Sequence, residues 1–393
     1  MPPAIPVIAA IAGSLVAGAI PGILGVVLGA VVSTAIGLLG SLLFAPDRPE
    51  IETGRLLSTL SGVSPEKHVY GYARSAGAIT WRAVRPLEDN GKNELFFQVL
   101  TVSGSAIDGF ERFYLDDEEI ALDENGEATE SPQKRGDTVY LTVKGRDGRQ
   151  VSYDEFLYLQ TQGQWTQDHI GTGYAYIAYM ARHDTDNKAF VSGGAPRVSA
   201  LLRGRRVYDP RLDPEYGGMG MHSRDDEATW EFSDNPALIC ADYARVSWGL
   251  RWLPEDIDWL SVIAAANVCD EEVASADGGM EKRYRCGGIV DTSAARNATW
   301  EDLLFSMAGF ATEQSGRLKL FAGAYSMPGA VIDEGVLEAP VRYRRHRPEA
   351  QRVNRVRGNF IAQELEFTPT GYPEIADLDD IAASGERSLT LDL

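Results

Sequence analysis

Between Phe232 and Tyr325 the apolar residues fall into helical and strand spacings by turns. Ala237, Cys240, Ala241 and Ala244 stand at i, i+3, i+4 and i+7. The same spacing recurs at Trp259, Val262, Ile263 and Ala266, and again at Trp300, Leu303, Leu304 and Met307. One apolar face per segment predicts three amphipathic helices. Asn235-Pro236 reads as a cap and first helical residue. Pro254 with Glu255 and Asp256 reads as an acidic first turn, and Thr299 with Asp302 as a capping box. Gly249 and Gly309 are natural stops. Residues 317–322 alternate Leu318, Leu320 and Ala322 against Arg317, Lys319 and Phe321, which predicts a half-buried strand.

From Leu95 to about residue 182 the pattern is β. Short aromatic and β-branched runs are separated by turn clusters such as Glu124-Asn125-Gly126 and Arg146-Asp147-Gly148. Residues 137–156 read as part of this β pattern. Residues 69–81 alternate with glycine, as a strand–turn–strand would. Tyr174, Tyr176 and Ala178 alternate with Ala175, Ile177 and Tyr179, and the final Ser388–Leu393 stretch alternates as well. Residues 192–211 read as a loop and then a strand carrying Arg203, Arg205 and Arg206. Asp116 to Glu119 lack the ligand spacing of a calcium loop and are read as a solvated strand edge. The glycine-rich loop from Tyr216 to His222 has no lysine and no following helix, so it is no phosphate cradle. It is expected to form part of an inter-subunit contact.

Residues 1–46 carry no charged side chain. Residues 23–44 form an apolar run long enough to span a bilayer core, which takes roughly 20 residues. Gly18/Gly22 and Gly25/Gly29 form two GxxxG patterns that let helix backbones approach closely. Three readings stand open: a transmembrane anchor, a hydrophobic plug or helix bundle inside an oligomer, and disordered sequence. A secretory signal is disfavoured, since this stretch has no Lys or Arg.

At 393 residues the chain exceeds one ordinary core. Lys and Arg total 37 against 57 Asp and Glu, a net charge of −20. Such a surface argues against binding held by phosphate contacts and suits a wall that DNA passes without sticking. Against that balance stand Arg342, Arg344, Arg345, Arg347, Arg352, Arg355 and Arg357. They read either as solvated strand arginines or as a basic face meeting an acidic neighbouring subunit. Cys240, Cys269 and Cys286 form neither a disulfide framework nor a zinc site. GxSxG, HExxH, Walker A and complete GxGxxG motifs are absent, and five histidines are scattered. Asp168-His169 has no nucleophile beside it and reads as a structural turn. No enzyme, metal or cofactor is expected.

An ordered series of short motifs carries a family likeness. Leu202-Arg203-Gly204-Arg205 and Tyr208-Asp209-Pro210-Arg211 come first. Asn235-Pro236, Trp248-Gly249-Leu250, Ile257 to Trp259, Cys269-Asp270 and Cys286 follow, then Gly316 to Leu320 and Arg352-Val353-Asn354-Arg355-Val356. The series resembles the hub portion of the tip attachment (central tail hub) proteins of lambda-like long-tailed phages and related gene transfer agents. It covers residues 150–393 well and the first third loosely.

The resemblance implies a β-rich α+β, multidomain fold with baseplate-hub-like β-domains, a small helical domain and an N-terminal apolar segment. The expected division is 1–46 apolar segment, 47–95 extended connector, 96–200 β-rich hub domain, 201–330 mixed α/β hub domain and 331–393 completing strands. It implies a structural virion protein at the distal end of the phage tail, a homotrimer that closes the tube and opens for genome ejection. Expected partners are the distal tail protein, the tape measure protein and other tail tip proteins. Residues 5–44 are expected inside the hub or against the tape measure, and toward the host membrane during ejection. Genomic DNA passes without specific binding. The separation of Cys269 from Cys286 is one the family shows; packed thiols are preferred there over a disulfide. The family chain runs on past the last strand, so this sequence resembles a short member or the hub part of a longer protein. The competing expectation is a membrane-anchored cell-surface or periplasmic protein with a β-rich ectodomain and an N-terminal transmembrane helix.

Overall fold

Strands β1 (Lys67–Tyr70), β2 (Tyr72–Ser75) and β3 (Ala78–Arg85) follow one another almost without a break. Gly71 and Gly77 separate them at φ of +52° and +66°, where glycine turns the chain at no steric cost. Each piece therefore enters a different sheet. The computed structural model describes residues 64–87, 94–184, 188–190, 195–274, 278–325, 352–362 and 368–392. Residues 1–46, with Gly18, Gly22, Gly25 and Gly29, lie outside the described residues, as do Arg342, Arg344, Arg345 and Arg347. The described chain is β-rich α+β with more than one core.

The next strands are β4 (Leu95–Ser103), β5 (Gly109–Leu115), β6 (Glu118–Glu119), β7 (Lys134–Arg135), β8 (Thr138–Val139), β9 (Leu141–Arg146), β10 (Ala175–Arg182) and β11 (Val198–Arg203). Two four-stranded antiparallel sheets result, ordered β3-β4-β10-β9 and β2-β11-β5-β6. Leu100, Val102, Ile177 and Tyr179 of the first share one core with Ala73, Leu115, Ala200 and Leu202 of the second. The opposite face of the first sheet carries Phe97, Val99, Tyr176 and Ala178, packed with Leu157 and Trp165.

Leu157 belongs to a helix, α1 (Glu155–Gln160), where the β pattern was read as continuing. Asp154 captures the Leu157 amide at 3.2 Å and turns the chain out of extended geometry.

The chain continues through β12 (Arg206–Val207), β13 (Glu231–Phe232), α2 (Pro236–Arg245), α3 (Trp259–Cys269), β14 (Glu272–Ala274), β15 (Met280–Lys282), β16 (Gly288–Asp291), α4 (Arg296–Phe305), β17 (Phe310–Gln314) and β18 (Arg317–Phe321), and buried side chains of β12, α2, α3, β16, α4 and β18 form a separate helical core. All three expected helices are present, with different starts for two of them. Pro254–Asp256 makes a single 3-10 turn, and α3 begins at Trp259 because Asp258 accepts the Ser261 amide at 3.2 Å. α4 begins at Arg296 with no side-chain cap, so Thr299 lies inside the helix. Asn235 does cap α2, accepting the Ala237 amide at 3.1 Å. Leu318 and Leu320 of β18 are buried while Arg317 and Phe321 are exposed, as their alternation predicts.

β1 pairs with β16 across this boundary. Residues 64–87 of the stretch read as a connector thus contribute strands to three sheets. Near the C-terminus β19 (Arg355–Arg357), β20 (Asn359–Ala362), β21 (Thr368–Gly371), β22 (Ile375–Ala376) and β23 (Ser388–Thr390) form two small sheets, β22-β19-β23 and β20-β21. They are interrupted by α5 (Leu378–Ser384), which the strand reading of 331–393 did not anticipate. Asp377 caps it by accepting the Asp380 amide at 3.0 Å.

Candidate functional site

A buried polar joint lies where β1 meets α2 of the helical core. The Tyr70 hydroxyl of β1 donates to Asp242 Oδ2 of α2 at 2.6 Å. Arg205 Nε donates to the same oxygen at 3.0 Å. Arg205 continues to both carboxylate oxygens of Glu227 at 3.0 Å, and Arg245 donates to Glu227 Oε1 at 3.0 Å. The Arg245 guanidinium lies 4.1 Å over the Trp230 ring. Asp242 is 2% exposed, and a carboxylate that deep requires paired donors. Burial, then the Asp242 charge, raises the Tyr70 phenol well above its ordinary range. Burial works against the Arg205 charge, but Asp242, Tyr70 and Glu227 more than offset it, so Arg205 holds its proton more tightly.

His68 adjoins this joint. Its ring stacks on Trp248 at 3.8 Å with 3° between planes, and neither ring nitrogen has a hydrogen-bond partner. Burial lowers its pKa to about 4; Glu66 and Asp242 pull upward and Arg205 downward. Its imidazole is therefore neutral at pH 7.

A second ionic cluster ties the β14–β15 hairpin to the helical core. Lys282 bridges Asp234 and Asp270 at 3.0 Å each, Arg285 pairs with Asp234 at 2.7 Å, and Arg211 pairs with Asp270 at 2.9 Å and Asp209 at 2.7 Å. Burial alone would raise the pKa of Asp234 and Asp270, yet these cations hold both below the usual carboxylate range.

Cys240 and Cys269 are buried and Cys286 half-buried, and all three are free thiols. Burial pushes Cys269 and Cys286 up to about 11. Among the described residues no group of three His, Cys, Asp or Glu side chains is placed to hold a metal ion. His169 Nδ1 lies 2.7 Å from Thr166 Oγ1 in the same turn.

Of the seven clustered arginines, three are described. Arg352 lies 3.5 Å from Asp380, and Arg355 pairs with Glu386 at 3.1 Å, so both meet carboxylates of their own chain. Arg357 is exposed on β19.

Three surfaces stand out. Glu118 and Glu119 form an exposed acidic edge on β6. Met219 and Met221 are 102% and 85% exposed on the glycine-rich loop. A Cβ on Gly218 would stand 2.4 Å from the Arg211 carbonyl oxygen, and one on Gly220 2.6 Å from that of Leu212. The loop backbone is therefore packed down while its methionines project. Phe310 and Phe321 form a cross-strand pair with ring centroids 4.8 Å apart, exposed at 60% and 39% on the β17–β18 hairpin. Phe305 at the end of α4 is also exposed.

Comparison with solved structures yields a match of probability 1.00 to a chain of the "Virion of native gene transfer agent (GTA) particle". The superposition covers 93% of this chain and 79% of that one, with a TM-score of 0.52 and 15% identity. The chain shares its fold with a virion chain. At 15% identity the likeness is one of fold. No family model matches the sequence, and no curated protein does. The joint residues Tyr70 and Asp242, 172 positions apart, form no motif and left no signal in the spacing. The exposed Phe310–Phe321 pair had one: Phe321 falls on the polar side of an otherwise regular alternation.

Proposed function

We propose that this chain is a structural virion protein, and more finely the central hub of a phage-type tail tip at the distal end of the tail. The observation that carries the reading is the fold likeness to a virion chain over 93% of the sequence. The exposed aromatic pair and the projecting methionines support it. Large apolar side chains held on rigid backbone are suited to burial against neighbouring subunits. In this reading three copies surround a hollow axis. The distal tail protein, the tape measure protein and the other tip proteins bind around them. A net charge of −20 lets DNA slide past without a specific hold. The work is mechanical, with no bond made or broken in a substrate.

Light scattering on the purified full chain tests the assembly, with an expected native mass three times that of the 42.8 kDa chain. Immunogold labelling of intact tails tests the location, with label expected at the distal end. A monomeric mass together with unlabelled tail ends would overturn the reading.

A further inference from the structure

The two four-stranded sheets have four borders, and these end in different ways. β9 is covered by its own chain, since the Val143 amide donates to the Gly126 carbonyl at 2.7 Å and the Ala128 amide to the Leu141 carbonyl at 3.0 Å. β2 is covered as well. Its Ala73, Arg74 and Ser75 are buried, and a Cβ on Gly287 would stand 2.4 Å from the Tyr72 carbonyl oxygen. β3 and β6 have no strand on their outer side among the described residues. They lie at opposite ends of the packed sheets. A Cβ on Gly145 of β9 would stand 2.5 Å from the Phe110 ring of β5, so β6 ends the pair of sheets on the β9 side and β3 ends it on the other.

Both borders offer free backbone groups. The Arg85 carbonyl accepts from the Glu94 amide at 3.1 Å, on the β4 side. Backbone direction alternates along an antiparallel strand, so Arg82 and Val84 turn their groups to the open side. The Val84 carbonyl there accepts a long bond from the side-chain amide of Gln164, at 3.4 Å. On β6 the Ile120 amide donates to the Phe113 carbonyl at 2.9 Å, which leaves Glu119 turned outward. Thr80, Arg82 and Val84 are exposed on β3, as are Glu118 and Glu119 on β6.

The borders also carry opposite charge. Arg82 donates to Gln98 at 3.2 Å, Arg85 donates to Gln160 and Pro86, and neither has a carboxylate partner among the described residues. Glu118 has no cationic partner among those residues, and Glu119 shares the exposed Arg112 at 3.6 Å. An open border invites another strand. Two β3 strands side by side would set arginine against arginine, and two β6 strands glutamate against glutamate. Like charges across a strand pair are destabilising, so each border rejects its own copy and accepts the other. A patch that pairs with itself makes a dimer, whereas two different patches joined head to tail make a ring when the rotation closes. We propose that the β3 border of one copy docks on the β6 border of the next, with Arg82 beside Glu118 and Glu119. The inference rests on the assembly reading and names the seam within it. β6 is two residues long, so the backbone pairing is brief and the charges choose the partner.

Sedimentation velocity on the full chain over a concentration series tests it, with a trimer expected for the parent. Arg82→Glu and Glu118→Arg, both at exposed positions, should each raise the concentration at which the trimer comes apart about tenfold, because a like-charged pair replaces an opposite one. The chain carrying both substitutions restores an opposite pair at every contact and should return to the parent's value. All four chains should share one far-UV spectrum. A trimer indifferent to the single substitutions, or weaker in the double variant than in either single one, overturns the seam and leaves the trimer standing. A parent that is monomeric or dimeric at every concentration overturns the trimer and the seam together.

Discussion

His68 provides a test in which one proton can be followed through the whole molecule. Its ring is 2% exposed, stacked on Trp248, without a partner on either nitrogen, and its pKa is lowered from 6.5 to about 4. In the unfolded chain the ordinary value returns. Between those two values the unfolded state binds the additional proton, so stability rises with pH there and falls as the solution is acidified. The contribution is complete above pH 6.5 and lost as pH falls toward 4. A shift of that size, at about 1.4 kcal/mol per pH unit, removes about 2 kcal/mol between pH 7 and pH 4.5.

His68→Phe keeps a flat ring against Trp248 and removes the ionisable group. Urea unfolding of both chains across that pH range isolates the effect, because the many carboxylates contribute equally to both. The parent should lose about 2 kcal/mol more than the variant over the interval. Carbon-13 NMR of labelled histidine should show a His68 resonance, assigned by its loss in the variant, that does not titrate above pH 5. Equal losses in the two chains, or a His68 resonance titrating near 6.5, would refute the reasoning.

The joint between the cores offers a larger effect. Asp242→Ala takes the shared acceptor from Arg205 Nε and the Tyr70 hydroxyl, while Glu227 still holds the other end of the guanidinium, and should cost about 3 kcal/mol in urea unfolding. Gly71→Ala places a Cβ 2.0 Å from the Cys286 carbonyl oxygen at a φ of +52°. It should destabilise the chain by about 2 kcal/mol or more, and hydrogen exchange should rise first in β1 and β16. With burial pushing Cys269 and Cys286 up to about 11 and raising Cys240 well above its ordinary range, the cysteines should resist alkylation at pH 8 in the native state. All three should react in urea, and fewer than three reacting there would reveal a disulfide. Substituting both Phe310 and Phe321 by serine should leave the unfolding midpoint nearly unchanged while lowering the native mass, if this pair is an assembly contact.

The helices and the long strands were legible because their cause is local. Apolar spacing survives in the sequence wherever one face is buried, as at Ala237, Cys240, Ala241 and Ala244, all of which prove buried. Helix starts were less legible. The Thr299–Asp302 pair has the right residues, yet α4 had already begun at Arg296, and Asp258 outcompeted Pro254 for the start of α3. The missed helices α1 and α5 did carry caps, Asp154 and Asp377. They are too short for their periodicity to stand out, at six and seven residues. The polar joint was illegible for a different reason. Tyr70 and Asp242 meet across 172 positions, and only the topology of the fold brings them together.

The run from Lys67 to Arg85 has a consequence for where the chain can be cut. β2 and β3 each lie at the border of their four-stranded sheet, and β1 is half of its two-stranded one. Starting the polypeptide at residue 96 would therefore leave three rows of backbone amides and carbonyls without neighbours at once. Bare rows of that kind recruit strands from other molecules. A shortened version would clump before it misassembled, whereas one beginning at Ser64 would keep β4, β11 and β16 paired.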